Sequence, residues 1–561
     1  MIRLRIRVIN NFRDIFFHIF FLIALLLNRF FKLPREFEKV PLNLFSGQFV
    51  LGKLLINGYF NSYSKPIRTS KEIKNNNLDH NKLLEGLNPE TFSWLYLISG
   101  INDQESRDFT KVFSNELGVL NRKFSHKIWS LETTAFRLCS VCLNIRFFEV
   151  SKVFNNKPKM LSFIHFHVLY LSLCKTFVPK GLISLRMNSG IFFASLILGE
   201  TISKRDIVLR KIVKDIGFLM RQNGELNIGN PGELLEIFFL VNRLIRFSST
   251  ADLSKGKTDL KLRDFQNQIA PILRGLRLGG GQLVRANNFG GKVILWDLDK
   301  ELSDARLNDF SIRKKSMGFY RINSGRLKLI FDGKSRKIEN TAKSFCCPAF
   351  SFELTSGQRT IFQNNSPFNF FLGHSDKILK VKQDYNSVNF SKKSSSINPS
   401  HWVSKIMEVK NYKDYKNNYL EGKKKISIDQ VDIYHSRKLG IPFSGTEIWG
   451  SEFIYSENED LNDFEHINVQ FFLHPEVHVW KSEGSNYFLL QLNNNEIWNF
   501  ETDEDNGDLH TYNYLDPKDL QIKKAFRIVL RRALSGQNLF VTWRFFLQNY
   551  SSRITREKIV S

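Results

Sequence analysis

Residues 469–500 read "VQFFLHPEVHVWKSEGSNYFLLQLNNNEIWNF", and this stretch decides the fold class. Val, Phe, Tyr, Trp and Leu dominate two runs that flank the polar segment "KSEGSN" (481–486), a pattern typical of antiparallel β-strands joined by a turn. Pro475 lacks a backbone donor, so it belongs at a strand end, an edge or a bulge. His474, beside this break, is expected either to pack against a loop or to face a ligand.

Similar short alternating runs recur through the second half of the chain. "MGFYRINSGRLKLIFDG" (317–333) and "AFSFELTSGQRTIFQNN" (349–365) read as hairpins with glycine at their turns. "GTEIWGSEFIY" (445–455) and "FRIVLRRALSGQNLFVTW" (526–543) continue the pattern. Regularly spaced hairpins predict an antiparallel β-sandwich.

The first half has a different character. From about residue 89 to 278 apolar residues recur at helical spacing, and Asn230 is placed to cap a helix that opens at Pro231. The glycines 279–281 then mark a loop. We therefore expect an α+β multidomain chain with a basic, apolar segment at 1–35, a helical domain at 36–284 and a sandwich at 285–561.

The net charge of the chain limits the classes of partner that it is expected to bind. A formal net charge of +26 over 561 residues favours polyanions such as nucleic acid, an anionic membrane or an acidic polysaccharide. An alternative is that the lysines and the 52 phenylalanines reflect an AT-rich genome. The sequence carries no helix-turn-helix, zinc-finger or aromatic RNA-binding signature, so we expect no nucleic-acid partner.

Five cysteines stand at 139, 142, 174, 346 and 347, an odd number without the spacing of a disulfide framework. Cys139 and Cys142 have the spacing of metal ligands, but no second pair accompanies them in the sequence, so we expect them to pack in the core. The sequence predicts no metal site and requires no cofactor, and it leaves a structural metal open.

The N-terminal segment joins basic residues to an apolar stretch from Ile15 to Leu27. That stretch is shorter than the roughly 20 residues of a spanning helix, and the residues after it are bulky. An interfacial helix is the first interpretation, an uncleaved anchor the second and a cleaved signal peptide the third. Residues 1–33 are thus expected to contact an anionic membrane surface, with the protein in the cell envelope or periplasm.

The chain resembles the heparinase II/III-like proteins, in particular their alphaproteobacterial branch, in the pieces 471–475, 496–500, 318–333, 349–357 and 433–439 and in several helical motifs that occur in the same order. The resemblance implies an incomplete (α/α) toroid followed by an antiparallel β-sandwich. It also implies a polysaccharide lyase-like protein that acts by β-elimination on uronic-acid-containing acidic glycans. Cys346 stands where the family's lyases have a catalytic histidine. The alternative hypothesis is therefore a non-catalytic glycan-binding or envelope-assembly protein that keeps the lyase fold.

Candidate site residues follow from both kinds of reasoning. His435 and Arg437 are two apart, so on a strand they share a face and could hold a uronate carboxylate; a solvated strand face is the alternative. The candidate catalytic residues are His435, Arg437 and His374. The candidate substrate-binding residues are Arg137, Asn230, Arg277, Trp94 and His474. Their alternative roles are structural: Arg137 could pair with Glu132, and Trp94 could lie in the core.

Overall fold

The computed structural model describes most of the chain. The described ranges are 2–31, 49–56, 89–116, 124–220, 230–250, 256–285, 297–307, 311–365, 385–392, 403–457, 464–516 and 522–548, with residues 34, 226 and 228. Short gaps inside these ranges fall at 127, 335, 338, 342–343, 347–348, 429–430, 482–486, 504–506, 534–535 and 537.

Twelve α-helices lie in the described part of the chain, and eleven of them precede residue 285. They are α1 (Ile2–Phe30), α2 (Phe49–Ile56), α3 (Leu95–Ile98), α4 (Gln104–Glu116), α5 (Leu131–Leu143), α6 (Ile145–Val150), α7 (Lys157–Leu173), α8 (Leu182–Ile197), α9 (Ile202–Leu219), α10 (Pro231–Thr250), α11 (Lys257–Gly275) and α12 (Leu298–Asp304).

Twenty β-strands follow in the described residues. They are β1 (Lys315–Ser316), β2 (Phe319–Ser324), β3 (Leu327–Asp332), β4 (Arg336–Lys337), β5 (Glu339–Thr341), β6 (Ser344–Cys346), β7 (Phe352–Ser356), β8 (Arg359–Phe362), β9 (Val388–Lys392), β10 (Val403–Lys413), β11 (Asn417–Ile428), β12 (Val431–Pro442), β13 (Glu447–Ser456), β14 (Phe464–Phe472), β15 (His478–Lys481), β16 (Tyr487–Gln491), β17 (Ile497–Thr502), β18 (Gly507–Leu515), β19 (Ile522–Ala533) and β20 (Asn538–Leu547).

The described strands form three antiparallel sheets. Their orders are β1-β2-β3-β7-β8, β15-β16-β17-β20-β13-β12-β11-β10-β4 and β18-β19-β14-β9-β6-β5. One apolar core joins strands of all three, and in it the rings of Phe352 and Phe471 pack against Trp543 at 5.8 and 4.9 Å between centroids. The predicted hairpins at 317–333 and 349–365 are confirmed as β2–β3 and β7–β8.

The stretch 469–500 folds as the sequence predicts where it is described. Strand β14 ends at Phe472, Leu473 forms an isolated bridge with Phe362, and Pro475 follows the strand end. Trp498 and Phe500 lie on β17 with their side chains in the sandwich core. The segment 482–486, predicted to be a turn, lies outside the described residues.

Local sequence signals place several helices of the first half. Ser130 caps α5 by accepting a hydrogen bond from the backbone of Thr133, and Asn156 caps α7 in the same way. Asn230 accepts from the backbone of Gly232 at 2.8 Å, which confirms its place at the start of α10. Cys139 and Cys142 are buried in the helical core, as predicted.

The glycine loop 279–281 is one of the places where the helical region touches the β-sandwich. A Cβ atom on Gly279 would lie 1.7 Å from the carbonyl oxygen of Gly357, in the turn between β7 and β8. Gly281 has φ +89°, a backbone conformation that favours glycine. Helix α12 lies beyond the boundary expected at 284, and its Leu298 and Leu302 pack into the core of the helical region. That boundary stays a prediction.

Candidate functional site at the domain junction

His435 and Arg437 lie on β12 and share one face, as their spacing predicts, but that face is the inside of the sandwich. Both converge on Glu452 of β13: His435 Nε2 lies 2.7 Å from Oε2, and Arg437 Nε donates to Oε1 at 2.7 Å. Arg437 Nη1 also donates to the carbonyl oxygens of Phe350 (2.6 Å) and Asn386 (2.8 Å). All three ionisable side chains are fully buried.

The electrostatics of this trio fix its protonation. Burial raises the pKa of Glu452, but Arg437 and His435 outweigh it and bring the pKa to about 2. Burial, then the charge of Lys424, lowers the pKa of His435 to about 3. Glu452 is therefore charged and His435 is neutral. The neutral imidazole carries its proton on Nε2, and this N–H donates a hydrogen bond to the carboxylate.

This geometry gives His435 and Arg437 a structural role. Neither the alternative of a solvated strand face nor direct access for a glycan fits their full burial. The neighbouring Lys424 is also fully buried, and its ammonium donates to the carbonyl oxygen of Ala349 at 2.6 Å. The trio is a buried ionic centre that ties the sheets together. A catalytic role for the pair stays a prediction without support from the geometry.

Arg137 and Trp94, predicted to contact substrate, lie inside the helical core. Arg137 donates from Nε to His167 Nε2 at 2.9 Å and from Nη1 to the carbonyl of Glu90 at 2.7 Å, and its guanidinium lies over the Trp129 ring. Trp94 is fully buried among phenylalanine rings. The structure therefore supports their alternative roles as core residues, although the partners of Arg137 do not include the expected Glu132.

Glu132 forms an ion pair with Arg186 instead, at 2.8 Å. Arg186 is buried and also binds the buried carboxylate of Glu236 through two hydrogen bonds. Arg186 therefore binds both acids, Glu132 and Glu236.

The remaining predicted residues divide between the junction and the undescribed part of the chain. Arg277 lies just before the glycine loop, whereas His474 is buried in the β-sandwich with its ring 5.4 Å from that of Tyr514. The backbone N–H of Glu476 donates to His474 Nδ1 at 3.3 Å, in agreement with a structural histidine. His374 lies outside the described residues, and for Cys346 only the backbone, at the end of β6, is described.

A buried polar cluster at the junction was not predicted from the sequence. Arg285 donates from its backbone N–H to Glu353 Oε1 at 3.1 Å and from Nη2 to the hydroxyl of Tyr514 at 2.8 Å. That hydroxyl donates to Gln363 Oε1 at 2.8 Å, and the backbone of Asn364 donates to Glu353 Oε1 at 3.0 Å. The cluster locks the end of the glycine loop onto β7 and β18.

Glu353 in this cluster is held in its neutral form. Burial raises its pKa to about 8 against the opposing effects of Arg285 and two backbone hydrogen bonds. Burial likewise raises the pKa of Tyr514. At neutral pH the cluster therefore contributes one positive charge, on Arg285, to the junction.

Three further cations lie at the same junction: Arg277 and Lys328 are partly exposed, and Arg321 is buried. Arg321 of β2 donates from Nη1 to the carbonyl oxygens of Gly275 (3.1 Å) and Arg277 (2.5 Å). Burial, then Arg277, lowers the pKa of Arg321 to about 10, and burial with both arginines lowers the pKa of Lys328 on β3. Arg277 is one-third exposed and pairs with the exposed Asp299 at 2.5 Å. We call Arg277, Arg321 and Lys328 the junction cations.

Burial, and after it the charges of Arg321 and Arg277, lower the pKa of Lys328, so the three cations are close enough to repel one another. A bound anion would relieve that repulsion and would be shielded from water on one side by the docked glycine loop. Such a cluster of positive charge suits carboxylate or sulfate groups, which would compete with Asp299 for the guanidinium of Arg277. Among the described residues no group of three or more His, Cys, Asp or Glu side chains could hold a metal ion.

Comparisons with known proteins agree with the fold described above. Residues 311–544 match the family described as heparinase II/III-like, C-terminal. No curated protein sequence matches the chain. A solved heparinase III superposes with a TM-score of 0.60 at 11% identity, covering 94% of this chain and 89% of that one.

Two further solved structures give the same result. A mutant heparan sulfate lyase from Pedobacter heparinus superposes with a TM-score of 0.52 at 9% identity, covering 94% of this chain and 88% of that one. Another heparinase III gives 0.52 at 10% identity, with 89% and 84% covered. The expected fold class, a helical region followed by an antiparallel β-sandwich, is confirmed. Over residues 311–544 the chain is thus similar to the heparinase II/III-like proteins, and the solved structures share its fold.

Proposed function

We propose that the protein is a polysaccharide lyase-like protein of the cell envelope that binds uronate-containing acidic glycans at the domain junction and cleaves them by β-elimination. The junction cations carry this proposal, because three positive charges lie together beside the glycine loop and two of them, Arg277 and Lys328, are partly exposed. The heparinase and heparan sulfate lyase names of structures with the same fold agree with an acidic glycan as the ligand.

The chemistry of elimination needs a positive site of this kind. A base takes the C5 proton of a uronate, the C–H electron pair forms the C4=C5 double bond, and the C4–O bond breaks as an acid protonates the departing O4, so that one proton moves from C5 to O4 overall. Cations on the C5 carboxylate stabilise the negative charge that develops as the proton departs. Arg277 and Lys328 would supply this neutralisation, and Arg321 would hold the loop that carries Arg277 through its hydrogen bonds to the backbone.

A specific observation favours a second candidate, a non-catalytic glycan-binding or envelope-assembly protein. Cys346 occupies the position where the resemblance places a catalytic histidine, and His435 and Arg437 are fully buried. Such a protein would keep the basic junction as a binding surface without turnover.

Ultraviolet absorbance of unsaturated uronates, recorded while the purified chain meets a panel of acidic polysaccharides, separates the two candidates. Under the lyase proposal absorbance rises, and the rise falls at least about tenfold in Arg277→Ala/Lys328→Ala. Arg263→Ala is the control, because Arg263 is also a partly exposed, ion-paired arginine on the adjoining helix α11. No rise in absorbance, with glycan binding retained, supports the second candidate. A rise that is the same in the double variant and the wild type shows that Arg277 and Lys328 are not part of the active site.

A further inference from the structure

Helix α1 is held on the helical region by one narrow face. Phe17, Phe21, Ala24 and Asn28 are buried there at helical spacing. The ring of Phe21 packs against that of Trp129 at 4.9 Å between centroids and against that of Phe166, on α7, at 5.2 Å. The α1 helix is thus part of the folded core.

Hydrogen bonds add to this attachment. Asn28 Nδ2 donates to Ser162 Oγ at 2.8 Å, and Asn28 Oδ1 lies 2.7 Å from His165 Nδ1. Both partners belong to α7, so the C-terminal half of α1 is fixed in orientation as well as in position.

The opposite face of α1 is an exposed apolar stripe. Its members are spaced i, i+4, i+7, i+11 and i+15, which aligns them along one side of the helix. They are Ile15, Ile19, Leu22, Leu26 and Phe30. Leu22 is 49% exposed, Leu26 54% and Phe30 84%, so water meets a continuous row of large apolar side chains. Such a row on a folded surface marks an interaction site.

Charge around the stripe identifies what covers it. Residues 1–33 contain six basic side chains and one acid, Asp14. The exposed ring of Phe177 packs against Phe16 beside the stripe. Lys175, two residues before Phe177, lies close enough to Lys211 to lower the pKa of Lys211. A second copy of the chain would set like charges against each other, whereas an anionic lipid surface complements both the apolar row and the cations.

The apolar part of α1 is too short, and the helix is too firmly held, to cross the bilayer. Its apolar part, Ile15–Phe30, has 16 residues or about 24 Å of helix, less than the roughly 30 Å of a hydrocarbon core. Spanning would also strip the buried face from α7. In the described chain one helix, Lys157–Phe177, is long and apolar enough to span a membrane, and 56% of its most apolar window is buried in the protein.

We propose that α1 is an in-plane membrane anchor: its exposed stripe inserts among the acyl chains of an anionic bilayer while its buried face stays packed on the helical region. Arg29, exposed at the C-terminal end of α1, then lies near the lipid headgroups, and the basic composition of residues 1–33 favours an anionic surface. This orients the whole protein on the membrane and does not depend on the glycan-binding proposal.

Vesicle flotation of the full chain tests this anchor. Wild-type protein floats with vesicles of phosphatidylcholine and phosphatidylglycerol, and less with phosphatidylcholine alone. Leu22→Gln/Leu26→Gln reduces the bound fraction at anionic vesicles about tenfold or more, because each glutamine removes an apolar contact with lipid. The matched control Leu260→Gln, at a 65% exposed leucine on helix α11, floats like wild type.

Two further measurements keep the result interpretable. Equal unfolding temperatures for the three proteins show that the stripe variant folds. Flotation that is equal in the stripe variant and the control overturns the proposal, as does absence of wild-type flotation. A wild-type dimer that the stripe variant converts to monomer would assign the stripe to a second copy and would also overturn it.

Discussion

The Nε2 atom of His435 lies 2.7 Å from Oε2 of Glu452 in the interior of the β-sandwich, and neither side chain is exposed. This contact, with Arg437 on the other carboxylate oxygen, makes an ionic centre of residues that sequence spacing alone would assign to substrate. The consequence is that these side chains govern stability and its pH dependence.

Acid stability should depend on His435. Its pKa is about 3 in the folded protein against an ordinary value of 6.5, so the unfolded chain binds the proton first as pH falls. The contribution of neutral, buried His435 to the free energy of unfolding is complete above about pH 6.5 and is lost as the pH falls towards 3. Chemical denaturation of wild type and His435→Gln should therefore show a free-energy difference that shrinks between pH 6.5 and 4.5. A difference independent of pH in that window would contradict the assignment.

Glu353 should act in the opposite direction. Its pKa is raised to about 8 from an ordinary 4.5, so the folded protein keeps a proton that the unfolded chain releases. Wild-type stability from this group is present below about pH 4.5 and is lost as pH rises through 8. Glu353→Gln carries no proton to lose, so its free energy of unfolding should fall less than that of wild type over this range. Parallel curves would show that Glu353 is ionised in the folded protein.

Arg437 should be worth far more to stability than a surface arginine. Arg437→Met leaves the charge of Glu452 buried without its main partner, at a cost of about 3–5 kcal/mol. Adding Glu452→Gln should recover part of that loss, because no uncompensated charge remains. Arg544→Met is the control: Arg544 pairs with Glu447 at 2.7 Å but is half-exposed, and its loss should cost about 1 kcal/mol or less. Equal costs in denaturant unfolding would count against the buried centre.

Gly279 should tolerate no side chain. A Cβ atom there would overlap the carbonyl oxygen of Gly357, so Gly279→Ala should lower the free energy of unfolding by about 1–3 kcal/mol. Gly217→Ala, in helix α9, is the matched control. A Cβ atom on Gly217 would have its nearest neighbour, an atom of the Phe265 ring, 4.0 Å away. That substitution should be neutral or stabilising by roughly 0.5–1 kcal/mol. Similar unfolding midpoints for both variants would show that the loop does not dock as described.

The sequence alone predicts those local features that are determined by a few consecutive residues. Pro475 at a strand end, Asn230 at a helix start and the hairpin around Gly325 each follow from the backbone requirements of a few consecutive positions. The fold class followed from the same local signals taken in order, together with the family resemblance.

Contacts between distant residues could not be predicted in this way. Glu452 reaches His435 through the register of β12 with β13, and Tyr514 meets Arg285 across 229 positions of the chain. Arg321 reads as an ordinary strand residue until the glycine loop places Arg277 against it. The junction cations therefore emerge only when the helical region is docked on the sandwich.

The most direct test of the account is the affinity of the protein for a size-defined heparan sulfate oligosaccharide, measured by titration calorimetry at fixed salt. Arg277→Ala/Lys328→Ala should weaken binding by about tenfold to a hundredfold, because each lost charge-assisted contact is worth roughly 1.5–3 kcal/mol and partial compensation is expected. Arg263→Ala should bind like wild type. Equal affinities for the double variant and the control would contradict the claim that the domain junction is the glycan site.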